Sequence, residues 1–129
     1  AAWVLPDETS ESANRAFALS CLEENTFHAP LIWHWEMGNL LSLAEARERL
    51  PSGGAQQALE VLYQTKIKFD APPTLHRMAQ ISRQSRAHQL SFYDASYLEL
   101  VLRLNGQLAS KDKKLLHAAK TCGVPILDF

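Results

Sequence analysis

Apolar positions along this chain switch between two rhythms. Spacings of three and four residues, which put apolar side chains on one face of a helix, are interrupted by short runs that suit strands. Residues 1–5 are apolar until Pro6-Asp7-Glu8 breaks the run, and Ser10 and Glu11 open a helical pattern through Phe17, Leu19, Cys21 and Leu22 to about residue 24. Residues 26–29 predict a short buried strand closed by Pro30. The longest helical pattern, 31–50, carries Ile32, Trp33, Leu40, Leu41, Leu43 and Ala44. A turn at Pro51-Ser52-Gly53-Gly54 leads to a second helix over 55–65, giving a helical hairpin. Period-two alternation over 66–71, ended by Pro72-Pro73, predicts a second strand.

Three more helices are expected. Residues 74–88 place Leu75, Met78, Ala79 and Ile81 on the apolar side. The next starts at Ser91 and stops at Asn105-Gly106, with Leu98, Val101 and Leu102 as its stripe. The last covers 112–121, between short strands at 107–110 and 124–127. Strands alternating with helices imply one α/β domain over residues 1–129, built on a short parallel sheet covered on both faces.

Composition narrows the class. At 129 residues, 47% hydrophobic and 21% charged, the chain suits a globular domain with a real core. No apolar run approaches membrane-spanning length and no secretory signal is visible, so a cytoplasmic protein is expected. Cys21 and Cys122 lie far apart without a Cys-x-x-Cys pair and read as reduced, packed thiols, a disulfide being the alternative. The net charge of −1 hides an asymmetry: three basic and nine acidic residues up to Thr65, then ten basic and four acidic from Lys66 to Lys120. A basic half suits a polyanion, and scattered solvated charge explains it equally well.

Parallel α/β sheets place their sites beyond the C-terminal ends of strands, where helices begin. Asp94 opens its helix, at the head of the stripe that continues through Leu98 and Val101. Asp112 closely follows the 107–110 strand, and Glu36 lies two turns into the helix after the first strand. Each has a purely local explanation. Ser91 and Asp94 fit a capping box, Asp112 fits a helix N-cap, and Glu36 fits a surface ion pair. Together they suggest more, because two carboxylates about 4 Å apart repel by roughly 4 kcal/mol at an effective dielectric near 20. Such a cluster shares protons or binds a hard cation, and Mg²⁺ or Mn²⁺ suits oxygen ligands.

Five stretches carry a family resemblance: Ala2-Trp3-Val4-Leu5-Pro6-Asp7-Glu8; Ala29-Pro30 with Glu36, Asn39 and Leu40; Tyr93-Asp94-Ala95-Ser96-Tyr97-Leu98-Glu99-Leu100; Leu108-Ala109-Ser110-Lys111-Asp112-Lys113-Lys114-Leu115; and Gly123-Val124-Pro125-Ile126-Leu127. In this order and spacing they resemble the PIN-domain endoribonucleases, in particular VapC-like toxins of toxin–antitoxin pairs. The resemblance implies a three-layer α/β/α domain, a metal-dependent ribonuclease (a hydrolase), a cognate antitoxin protein and a homodimer. It assigns Glu36, Asp94 and Asp112 to the metal and the catalysis, with Asn39 and Ser110 as supporting residues. The family's fourth acid, an Asp ending the first strand, would fall before Ala1 and is not in this sequence. A catalytically incomplete PIN-like scaffold that binds RNA or protein is therefore the alternative.

Arg77, Arg83 and Arg86, and Lys111, Lys113 and Lys114 beside Asp112, are candidate RNA-phosphate contacts, with charged helix surface as the equal alternative. The five histidines lack zinc-site spacing, and no Gly-rich loop follows a strand. Trp33 is expected in the core, and Trp35, on another side of the same helix, at an interface.

Overall fold

The computed structural model describes residues 27–64 and 66–127. The apolar start, the 10–24 helix, Cys21, Thr26 and Thr65 lie outside the described residues. The chain is mixed α/β, with five helices and a short parallel two-stranded sheet among those residues. It divides into two compact units, one up to Asp70 and the other from Ala71.

In the first unit, β1 (Phe27–Ala29) pairs in parallel with β2 (Ile67–Phe69), with Phe27 opposite Ile67 and Ala29 opposite Phe69. Between them run α1 (Ile32–Ala46) and α2 (Gly54–Leu62), the expected hairpin. Helix α1 ends four residues earlier than the sequence pattern suggests. Glu48 takes a left-handed φ of 59°, and the N–H of Arg49 returns to the Ala44 carbonyl at 2.8 Å, satisfying orphan groups of the last turn. Gly53, at φ 80°, then admits the turn that an L side chain would strain. A Cβ on Gly54 would lie 3.1 Å from both Leu50 Cβ and Pro51 Cδ, so a side chain there would crowd the turn. Glu45 ties the hairpin together, its Oε2 accepting the Ala55 N–H at 3.0 Å at the positive end of α2. Met37, Leu41, Ala44, Leu50 and Leu62 form the core, flanked by Trp33 and Leu40, while Leu43 is exposed.

The second unit holds α3 (Leu75–His88), α4 (Phe92–Leu104) and α5 (Lys113–Thr121). Hydroxyl or carboxylate caps start all three. Thr74 Oγ1 accepts from Arg77 N, Ser91 Oγ from Asp94 N and Asp112 Oδ1 from Leu115 N, each satisfying a backbone donor the helix cannot. Helix α4 stops at Asn105, which takes the left-handed φ of 53° itself, so the glycine after it is not the residue that turns the chain. The strands expected at 107–110 and 124–127 shrink to one parallel bridge between Leu108 and Ile126. Two backbone bonds hold it, Leu108 N–H to Pro125 O at 2.9 Å and Leu127 N–H to Leu108 O at 2.8 Å. Ala95, Leu98, Val101, Leu108, Leu115, Ala118 and Ala119 are central to this unit's core. The stripe of α3 is not as expected: Leu75, Met78 and Ala79 are exposed and Ile81 alone is buried.

Candidate functional site

Asp94 lies in the first turn of α4, half-buried, at the head of the stripe that buries Leu98 and Val101. Its backbone N–H is held by Ser91, which sets the helix start and hence the place of the carboxyl. Asp112 reaches the same neighbourhood at the N-cap of α5. Burial raises the pKa of Asp94 from 3.8, the negative charge of Asp112 raises it further, and a hydrogen bond with Ser91 opposes both. Two of the three expected acids thus lie near enough for the charge of Asp112 to act on Asp94.

Ser110 supports Asp112 directly: its Oγ accepts the Asp112 N–H at 3.0 Å, two residues on. This small turn bends the chain between the Leu108 bridge and α5, presenting a carboxylate at the helix start. The capping explanations of Ser91 and Asp112 are therefore correct as geometry. They do not exclude ligation, since an ionised carboxylate offers several acceptor positions.

Glu36 belongs to the first unit, half-buried on α1, and Asn39 is exposed one turn later. Among the described residues no three of His, Cys, Asp and Glu come together closely enough to hold a metal ion. Asp94 and Asp112 are a carboxylate pair whose hard oxygen donors suit Mg²⁺ or Mn²⁺ better than a soft metal. Two shallow depressions both lie near the α1–α2 turn, around Glu45, and neither includes Glu36 or the pair.

The basic candidates divide. Lys111, Lys113, Lys114, Arg83 and Arg86 are exposed, the first three around Asp112 and the others on α3. Arg77 is different: its side chain is largely buried, with Nε 3.5 Å from Glu99 Oε1 and an Nη1 hydrogen bond to the Ala71 carbonyl. Glu99 also receives Arg103 Nε at 2.9 Å on Oε1 and Nη2 at 3.3 Å on Oε2. Glu99 is the buried charged residue of this core, and sequence reasoning passed over it. Two signals were present: its place between Leu98 and Leu100, and an Arg four residues on, the spacing of a helical ion pair.

The chain is similar to a solved structure, the crystal structure of PAE2754 from Pyrobaculum aerophilum. The TM-score is 0.61 at 24% identity, over 83% of this chain and 75% of that one. At that identity the likeness speaks to the fold. No family model matches the chain, nor does any curated protein. Among the described residues no helix is long and apolar enough to cross a membrane.

Proposed function

We propose that this chain is a metal-dependent endoribonuclease of the PIN type, with a three-layer α/β/α fold, acting as the toxin of a toxin–antitoxin pair. The observation that carries the proposal is the placing of Asp94 and Asp112 at two helix starts, near enough that the charge of Asp112 adds to burial in raising the Asp94 pKa. Carboxylates held at two separate helix starts have the donor chemistry that Mg²⁺ or Mn²⁺ prefers. Such an ion supplies activation of water and neutralisation of charge on the phosphodiester. Asp94 and Asp112 would hold it, the resemblance adding Glu36 as a third ligand. Ser110 fixes the turn that presents Asp112, and Ser91 fixes the first turn that presents Asp94. The exposed Lys111, Lys113 and Lys114 would meet RNA phosphates beside the acids. The antitoxin and a second copy of the chain are the protein partners the resemblance implies.

The test is RNA cleavage with any residues encoded upstream of Ala1 included, with Mg²⁺, with chelator, and with Asp94→Asn. Cleavage that survives both chelator and substitution would sink the proposal.

The second reading is a PIN-like scaffold that binds RNA or a protein without hydrolysing. The missing third carboxylate beside Asp94 and Asp112, among the described residues, favours it. It predicts binding without metal-dependent turnover.

A further inference from the structure

We infer that the whole outer face of α5 is a track for the phosphate backbone of an RNA, running from Asp112 to the far end of the helix. The inference deepens the nuclease proposal and rests on it for the class of polyanion. Helix α5 has two unlike sides. Leu115, Ala118 and Ala119 are buried in the core of the second unit, whereas Lys113, Lys114, His117 and Lys120 are exposed. At 3.6 residues per turn these four fall within an arc of about 120°. No carboxylate interrupts that face, because none occurs between Lys113 and Thr121.

Helix stability does not account for such a face. Lys120, in the last turn, suits the negative end of the helix. Lys113 and Lys114 stand in the first turn, where the backbone dipole disfavours cations, and like charges along one face repel. A bound polyanion turns each of these penalties into attraction. The position of Asp112 favours RNA over an acidic protein segment. It caps this helix, so the face begins beside the carboxylate pair that would act on a phosphodiester. From Lys113 to Lys120 is roughly 10 Å at 1.5 Å per residue, room for about three phosphates at 3.4 Å per nucleotide. Contacts to phosphate carry no sequence information, so the track holds any sequence and fixes only the course of the strand.

The test is binding of a labelled uridine octanucleotide over a range of salt, with chelator present so that nothing is cut. An abasic octamer, an octaglutamate peptide and the variant Lys68→Gln, an exposed lysine of the first unit, are the controls. Lys113→Gln and Lys120→Gln are each expected to weaken both octamers several-fold and to flatten the salt dependence of log K by about 0.7, while Lys68→Gln leaves the slope alone. An unchanged slope in the Lys120 variant, or equal flattening by Lys68→Gln, overturns the inference. So does octaglutamate binding more tightly than the octanucleotide and depending on Lys120, which would assign the face to an acidic protein segment. Lys120-dependent RNA binding without Mg²⁺-dependent cleavage upholds the track and removes the nuclease. Mg²⁺-dependent cleavage, with binding that Lys120→Gln does not alter, overturns the track and spares the nuclease.

Discussion

Oδ1 of Asp112 accepts the backbone N–H of Leu115 at 2.9 Å, so this acid starts helix α5 whatever else it does. The two roles can be separated. Asp112→Ser keeps a capping oxygen and is expected to cost only a few tenths of a kcal/mol, whereas Asp112→Ala loses the cap and about 1 kcal/mol. Both remove the carboxylate, and both should abolish metal-dependent cleavage. Urea denaturation beside an RNA-cleavage assay checks this, and full cleavage by the Ser variant would count against Asp112 as a ligand.

Asp94 gives a pH dependence of definite sign. Its pKa is raised by burial and then by Asp112, so the folded chain binds a proton more tightly there than the unfolded chain does. The ionised carboxyl therefore costs stability above its folded pKa, and the cost fades as pH falls toward 3.8. Asp94→Asn should melt higher than the parent at pH 7, with the difference shrinking on acidification. A constant difference across that range would contradict the electrostatic origin.

A divalent ion should reverse this penalty. Ligand binding to the folded state alone stabilises by about 2.7 kcal/mol at a hundredfold excess over Kd. Mg²⁺ or Mn²⁺ is expected to raise the melting temperature of the parent, and Asp94→Asn should lose most of that rise. Equal shifts in parent and variant would mean that the ion binds elsewhere.

Glu99 predicts the opposite behaviour from Asp94. It sits against two guanidinium groups, so Glu99→Ala deprives Arg77 and Arg103 of the anion they share. Removing one partner of a buried ion pair costs about 3 kcal/mol, and thermal or chemical unfolding would show it. A loss below about 1 kcal/mol would mean that water screens the network.

The contrast shows what the sequence could and could not say. Helix starts were legible because Thr74, Ser91 and Asp112 are good caps, a local chemistry read directly from the residue. The Asp94 stripe was legible through its spacing to Leu98 and Val101. The side of α3 was not: Leu75 and Met78 look apolar, yet the helix turns Ile81 and the Arg77–Glu99 pair inward. Periodicity cannot anticipate a charge buried against a charge from another helix, because that depends on a partner remote in sequence. The 107–110 and 124–127 strands were overcalled for a related reason, their pairing narrowing to a single bridge at Leu108. Where the acids meet was legible only in part, since spacing along a chain does not fix spacing between helix ends.

Three helices close on a left-handed residue that is not glycine: Glu48 at φ 59°, Gln89 at 55° and Asn105 at 53°. Asparagine tolerates that region, but glutamate and glutamine are strained there by roughly 1 kcal/mol each. This protein therefore carries unspent thermostability at two positions other than Asp94 and Asp112. Glycine at 48 and at 89 would release it, offering a sturdier background in which destabilising substitutions at the site still leave a folded chain to assay.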